Sequence, residues 1–516
     1  MVNTEEIQPA HKNPYDYCEG IVSTTITDNI IEARGLEQCV LGELVLIGPA
    51  EEQGIVVELK EETVLISLLK PLRHIAPNHK VISRGNVVSV PVGNALLGRI
   101  VNPLGEPLDD LGPIHCDKYY PIEYAPANVM ARAGIRNPLS TGIKMIDSLI
   151  PIGKGQRELL IGDSRTGKTN ICLNAIINQK DTNVKCIYVA IGKNASDIIN
   201  VVETLKEHNA FSYTIIVFAG CNDSASLQIM SPQAGCSMGE YFRNHGEDAL
   251  IIYDDLTRHA WAYRQLSLLL RKTPGREAYP ADIFYLHARL LERAAHVNQS
   301  FVEHKTEGKV INRTGSLTAL PILETQENDI TSFIATNVVS ITDGQIFLDS
   351  TLARQNIRPA INLSRSISRV GNVAQTPIIR QLSASILLDL LQYQSLENFA
   401  ITSFEASEES DKVLSKGIRS VEIFQQNQFA PSSLADLALS LLIIMSNVLV
   451  DIAVKLVRRF ESFVHYEIKM KEPLLYLRLK EERKLSSEEI ESYLAIIKLL
   501  QARFIAQQDG EEVQHV

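Results

Sequence analysis

The chain has 516 residues, 45% hydrophobic and 22% charged, a globular composition too long for one compact core, so about three domains are expected. With 50 Lys and Arg against 61 Asp and Glu, the formal net charge is −11. That speaks against a protein whose main partner is nucleic acid, because phosphate contacts need clustered cations.

The opening stretch MVNTEEIQPAHKNPYDY has no basic segment followed by an apolar one, so it is not expected to be a secretory signal. Residues 1–19 read as an arm in which Pro9 and Pro14 break any long helix. From 20 to 91, runs such as VLGELVLIG, GIVVEL and TVLISLLK are punctuated by glycines, the pattern of a small β-barrel or sandwich. From 92 to 375, apolar runs at Glu158–Ile161, Cys186–Ile191, Tyr213–Ala219 and Ala249–Tyr253 alternate with helical patterns. Such runs suit parallel strands buried between helix layers, hence an α/β domain. From 376 to 516 the periodicity is helical: Pro377 suits a first helical turn, and SSEE before an amphipathic tail resembles a helix cap. The most apolar run, Leu437 to Val450, is shorter than the roughly 20 residues a membrane-spanning helix needs. It predicts a buried core helix, with any membrane attachment made through partners. Seven scattered cysteines without a C-x-x-C pair read as buried thiols in a reducing compartment.

Gly162-Asp163-Ser164-Arg165-Thr166-Gly167-Lys168-Thr169 matches G-x-x-x-x-G-K-[ST] in full, after the strand-like RELLIG and before the helix-like TNICLNAIINQ. The glycines let the loop turn successive backbone N–H groups inward as a nest for phosphate oxygens, and the new helix adds its positive end. Lys168 is expected to reach the β and γ phosphates of a nucleoside triphosphate, ATP or ADP, and Thr169 to ligate Mg²⁺. A second carboxylate, holding Mg²⁺ through water, is expected at a strand end; Asp254 supplies it about 85 residues downstream.

The blocks PVGNALLGRIVNPLGEPLD, GEDALIIYDDLTRHAWAYRQLSLLLRKTPGREAYPADIFYLHARLLERAA and IRPAINLSRSISRVGNVAQT resemble the α subunit of F-type ATP synthases. The resemblance runs from about Gly20 to Pro431 and more weakly beyond. It implies a β-barrel crown, a RecA-like nucleotide domain and a helical C-terminal bundle. It also implies alternation with β subunits in an α3β3 ring around a γ shaft, joined to stator subunits and to a membrane sector that moves protons or sodium ions. The expected location is the cytoplasmic face of a bacterial inner membrane.

In the β paralogue a glutamate follows the strand after the P-loop helix; here Lys193 stands there, and an ammonium cannot activate water. The resemblance therefore implies a site that binds nucleotide without turning it over. It also assigns Arg369 as an arginine finger reaching a neighbour's γ-phosphate, with Ser366, Ile367 and Ser368 holding its turn. Arg358, Pro359, Gln426 and Gln428 match positions that line the adenine pocket.

Four features depart from the family pattern: Ser164-Arg165 in the loop, Lys193 for a glutamine, Ala353 where an aromatic packs near the adenine, and a short N-terminal arm. Together they predict relaxed adenine selectivity and a divergent stator attachment. Two rival readings remain: an independent hexameric P-loop translocase, which Lys193 and the acidic charge oppose, and a structural ring subunit without nucleotide, which the intact Lys168, Thr169 and Asp254 oppose.

Overall fold

A computed structural model describes residues 18–27, 29–70, 75–400 and 408–513. The predicted arm lies outside them, except that Cys18 and Glu19 already belong to the first strand. The described residues divide into two compact units.

One unit draws on Met1–Ala133, Asn183–Leu323 and Thr331–Ile341. It begins with six strands, β1 (Cys18–Thr27), β2 (Ile30–Arg34), β3 (Glu43–Ile47), β4 (Glu52–Leu59), β5 (Val64–Leu68) and β6 (Lys80–Val87). They close in the order β1-β2-β5-β4-β3-β6, every pair antiparallel, which decides between barrel and sandwich. In β3 the burial alternates residue by residue, with Val45 and Ile47 inward. They meet Val22, Ile31, Val56, Ile66 and Val81 in one core. Each such side chain contributes about 1.5–3 kcal/mol on burial.

The same unit carries parallel strands in the order Gly315–Thr325, Asp248–Asp254, Lys185–Lys193, Thr214–Gly220 and Ile100–Val101. Their near-continuous apolar runs are explained by burial on both faces, since no alternation is needed when neither face meets water. Helix Ala225–Asn244 lies against them through Gly235 and Gly239. A Cβ at either would collide with Val189 or Leu317, so glycine sets the spacing between helix and sheet.

The other unit draws on Gly134–Thr182, Glu324–Ile330 and Thr342–Val516. Strand Leu159–Asp163 pairs in parallel with Gly344–Leu348, to which Ile367–Ser368 adds antiparallel. Helix Lys168–Ile177 follows the first of these strands. The rest is helical, including Pro377–Ala400, Glu408–Phe424, Leu434–Met445, Val457–Lys471, Pro473–Leu479 and Ser487–Val513. The cap predicted at SSEE is a reciprocal one: Glu489 N–H donates to Ser486 Oγ (3.1 Å), and Ser486 N–H to Glu489 Oε2 (2.6 Å). The apolar run from Leu437 is buried as predicted, but its helix stops at Met445, where Asn447 turns left-handed (φ 56°). Among the described residues no helix is long and apolar enough to cross a membrane.

Candidate nucleotide site

The loop predicted to cradle phosphate joins strand Leu159–Asp163 to helix Lys168–Ile177. Gly162 is required by close approach: a Cβ there would run into the carbonyl of Leu348 on the neighbouring strand. Gly167 is required by conformation, since it caps the helix at φ +106°. Arg165 is also left-handed (φ 63°), and both it and Ser164 are exposed. Lys168 is buried, its ammonium donating to the carbonyls of Gly162 (2.6 Å) and Asp163 (2.5 Å). Thr169 follows in the first helical turn.

Asp163 plays a different part from its neighbours. Its carboxylate accepts from Thr325 Oγ1 (2.7 Å) and the Asn328 N–H (2.9 Å), and Thr166 Oγ1 donates to its carbonyl (2.8 Å). The side chain anchors the loop, and the backbone is what remains to meet a ligand.

A cavity of about 480 Å³ opens beside the loop, within the usual size of small-molecule sites. Thr166, Gly167, Arg358, Pro359, Gln426 and Gln428 all line it, although the sequence places them up to 262 residues apart (428 − 166). Gln426 is committed to its surroundings. Its amide donates to the carbonyls of Gly142 (2.7 Å) and Ala430 (2.6 Å) and accepts from Lys144 N–H (3.1 Å). It therefore shapes the wall, whereas Gln428 is exposed at it. Ala353, in the short helix Ser350–Arg354, is not among the lining residues. Phe429 is, at φ 55°, so an aromatic ring reaches this pocket from another element. Nothing in FQQNQF distinguishes that ring from an ordinary core phenylalanine.

In the first unit, Lys193 and Asp254 end adjacent parallel strands. Lys193 Nζ lies 2.8 Å from Asp254 Oδ1 and 3.5 Å from Asp255 Oδ2, and Tyr188 OH donates to Asp254 Oδ2 (2.5 Å). Burial works against the Lys193 charge, but the two aspartates outweigh it and hold the ammonium protonated above its usual range. Burial pushes Asp255 up to about 6, against the pull of Lys193. Lys193 is thus not the freely solvated lysine that a surface position allows.

Arg369 is exposed at the end of the edge strand Ile367–Ser368. The supporting turn is tied down: Ser366 Oγ donates to Asn362 O (2.6 Å) and accepts from Phe347 N–H (2.9 Å). Ile367 is exposed, and Arg369 N–H donates to Asp343 O (2.8 Å). Arg157 in turn forks the Asp343 carboxylate at 2.8 and 2.9 Å.

The model for the nucleotide-binding domain of the ATP synthase alpha/beta family matches residues 142–368, and that for the C-terminal domain of the alpha/beta chain matches 375–500. The chain is 50% identical over 444 residues to ATP synthase subunit alpha 1 of Methylococcus capsulatus, covering 86% of both chains. It is 51% identical over 444 residues to ATP synthase subunit alpha of Wigglesworthia glossinidia brevipalpis, covering 86% of this chain and 87% of that one. It is 48% identical over 465 residues to the subunit alpha of Cupriavidus necator, covering 90% of each. A strand-turn-helix carrying the P-loop pattern, an adjoining cavity and a helical C-terminal region thus coincide with matches across most of the sequence, and the chain belongs to the ATP synthase alpha/beta family, among its F-type alpha subunits.

Proposed function

We propose that this chain is the non-catalytic, regulatory nucleotide-binding α subunit of the head of a rotary ATP synthase. The observation that carries this reading is the ion pair of Lys193 with Asp254 and Asp255. Hydrolysis needs a carboxylate to orient or activate the attacking water, and a lysine held charged by two aspartates cannot accept that proton.

The loop 162–169 holds the phosphates of ATP or ADP, with Lys168 as the point charge and Arg358, Pro359 and Gln428 around the base. Gln426 keeps that wall in place. A threonine hydroxyl at 169 and a strand-end carboxylate at 254 are hard oxygen donors, which suit Mg²⁺. Because Lys193 already answers the charge of Asp254, that aspartate acts on the ion through water. Arg369 works in trans: a guanidinium stays charged and offers a planar set of donors for the γ-phosphate at a partner's site. Its exposure at a braced turn supports this reading.

The partners are catalytic β subunits alternating in an α3β3 ring, a γ shaft, stator subunits and a membrane sector that moves protons or sodium ions. The place of work is the cytoplasmic face of the membrane. Exposed cationic Arg165 and the absence of Ala353 from the pocket wall support relaxed adenine selectivity.

The test is to purify the chain alone and supply Mg·ATP. Bound nucleotide close to one per chain, without turnover, is the expected result; brisk cleavage would return the independent P-loop ATPase as the better account. An empty site at millimolar nucleotide would favour a structural ring subunit.

A further inference from the structure

Beneath the turn that carries Arg369 lies a buried polar cluster that the sequence gives no reason to notice. Gln156 and Glu158 are both fully buried. Gln156 Oε1 accepts from Gly153 N–H (2.7 Å), and its amide donates to Glu158 Oε2 (2.7 Å) and to Ser368 Oγ (3.1 Å). Ser368 Oγ also donates to Pro151 O (2.8 Å) and accepts from Gly371 N–H (3.2 Å). One donor and two acceptor sites exhaust a hydroxyl, so the residue before Arg369 has no rotational freedom left. Gly344 leaves room for this, since a Cβ there would strike both the Ile367 carbonyl and the Glu158 carboxyl. A buried carboxyl is costly unless it is paired or neutral, so its retention asks for a use.

We propose that Gln156, backed by Glu158, is a positioning residue that fixes the aim of Arg369 through Ser368. The inference rests on reading Arg369 as a finger acting in trans. Burial raises the Glu158 carboxyl well above its usual range, opposed first by the hydrogen bond from Gln156, with Asp343 adding to the rise and Arg369 opposing it. The Glu158 carboxyl takes one amide hydrogen of Gln156 and so turns the other toward Ser368.

The experiment uses the chain assembled with its catalytic β-type partner. Gln156→Met, similar in size but unable to bond Ser368, is expected to lower turnover at saturating Mg·ATP by roughly 10²-fold, the cost of a misplacement of about 1 Å. KM and nucleotide bound to this chain's own pocket should hardly change. In an Arg369→Ala background the same substitution should cost nothing further. Undiminished turnover for Gln156→Met, or losses that multiply with Arg369→Ala, would overturn the inference while leaving the finger intact. If Arg369→Ala alone leaves turnover unchanged, it is the finger that fails. Should Gln156→Met prevent assembly, Ser368→Ala removes only the hydroxyl and is held to the same outcomes.

Discussion

The ammonium of Lys193 sits 2.8 Å from Oδ1 of Asp254, so a cation is built into the end of the strand where a P-loop protein keeps its Mg²⁺-directed carboxylate. Asp254 is thereby held from both sides within its own strand neighbourhood, by Lys193 and by the Tyr188 hydroxyl.

From this follows a prediction about charge. Burial raises the Asp255 carboxyl to about 6, and Lys193 pulls against that rise. Lys193→Gln keeps the size and removes the charge, so Asp255 should titrate higher by roughly half a pH unit or more, a close unit charge being worth about 1 kcal/mol even in water-like surroundings. Difference infrared titration of that carboxyl reads this directly; an unchanged midpoint would mean that the ion pair does not form.

The base pocket makes a second prediction. Phe429 supplies the only aromatic lining among the described residues of the cavity, and base–aromatic stacking is worth about 1–3 kcal/mol. Phe429→Ala should weaken ATP and GTP alike, because every base has a π-face. GTP should compete with ATP to within about tenfold in the unaltered chain, a difference of about 1.4 kcal/mol or less. A much stronger preference for ATP in a competition titration would reject relaxed selectivity.

A third concerns acid. His259 and His287 are fully buried and face each other, Nδ1 to Nε2, at 3.2 Å, while His259 Nε2 donates to Ile229 O (3.1 Å). This relay needs both rings neutral, and among the described residues His287 Nδ1 has no hydrogen-bond partner. Burial pushes His259 down to about 4, with the Ile229 carbonyl partly opposing, and burial together with His259 pushes His287 down to about 3. The unfolded chain takes up these protons near pH 6.5, and the folded chain only below about 4. Their contribution is thus fully present above about 6.5 and lost as pH falls, by at most about 1.4 kcal/mol per pH unit for each ring. Urea midpoints measured at about pH 7 and about pH 5 should converge in His287→Leu relative to the parent chain. Equal slopes would show that the pair does not stay neutral.

Much of the scaffold was legible from the chain. Glycine-punctuated runs narrowed the first region to a barrel or a sandwich, and the predicted strand Cys186–Ile191 lies inside Lys185–Lys193, because a strand buried on both faces writes itself as a continuous apolar run. The strand-turn-helix around Gly162–Thr169 and the Ser486–Glu489 cap were visible because both are local: a few residues meet their own neighbours. What stayed hidden was long-range. Gln156 meets Ser368 across 212 positions, and Lys144 N–H meets Gln426 across 282. Neither pair has a spacing that periodicity can read. Lys193 shows the same limit: its identity spoke against catalysis, but only the fold brings Asp254 and Asp255 to it and replaces a solvated lysine with a buried ion pair.

The division of labour between this chain and its neighbour is tested most directly by Arg369→Ala in the assembled complex, reading Mg·ATP turnover and ring assembly side by side. The account predicts that the ring still forms and that turnover falls by roughly 10³-fold or more, as for other arginine fingers. Turnover equal to that of the unaltered complex would contradict it.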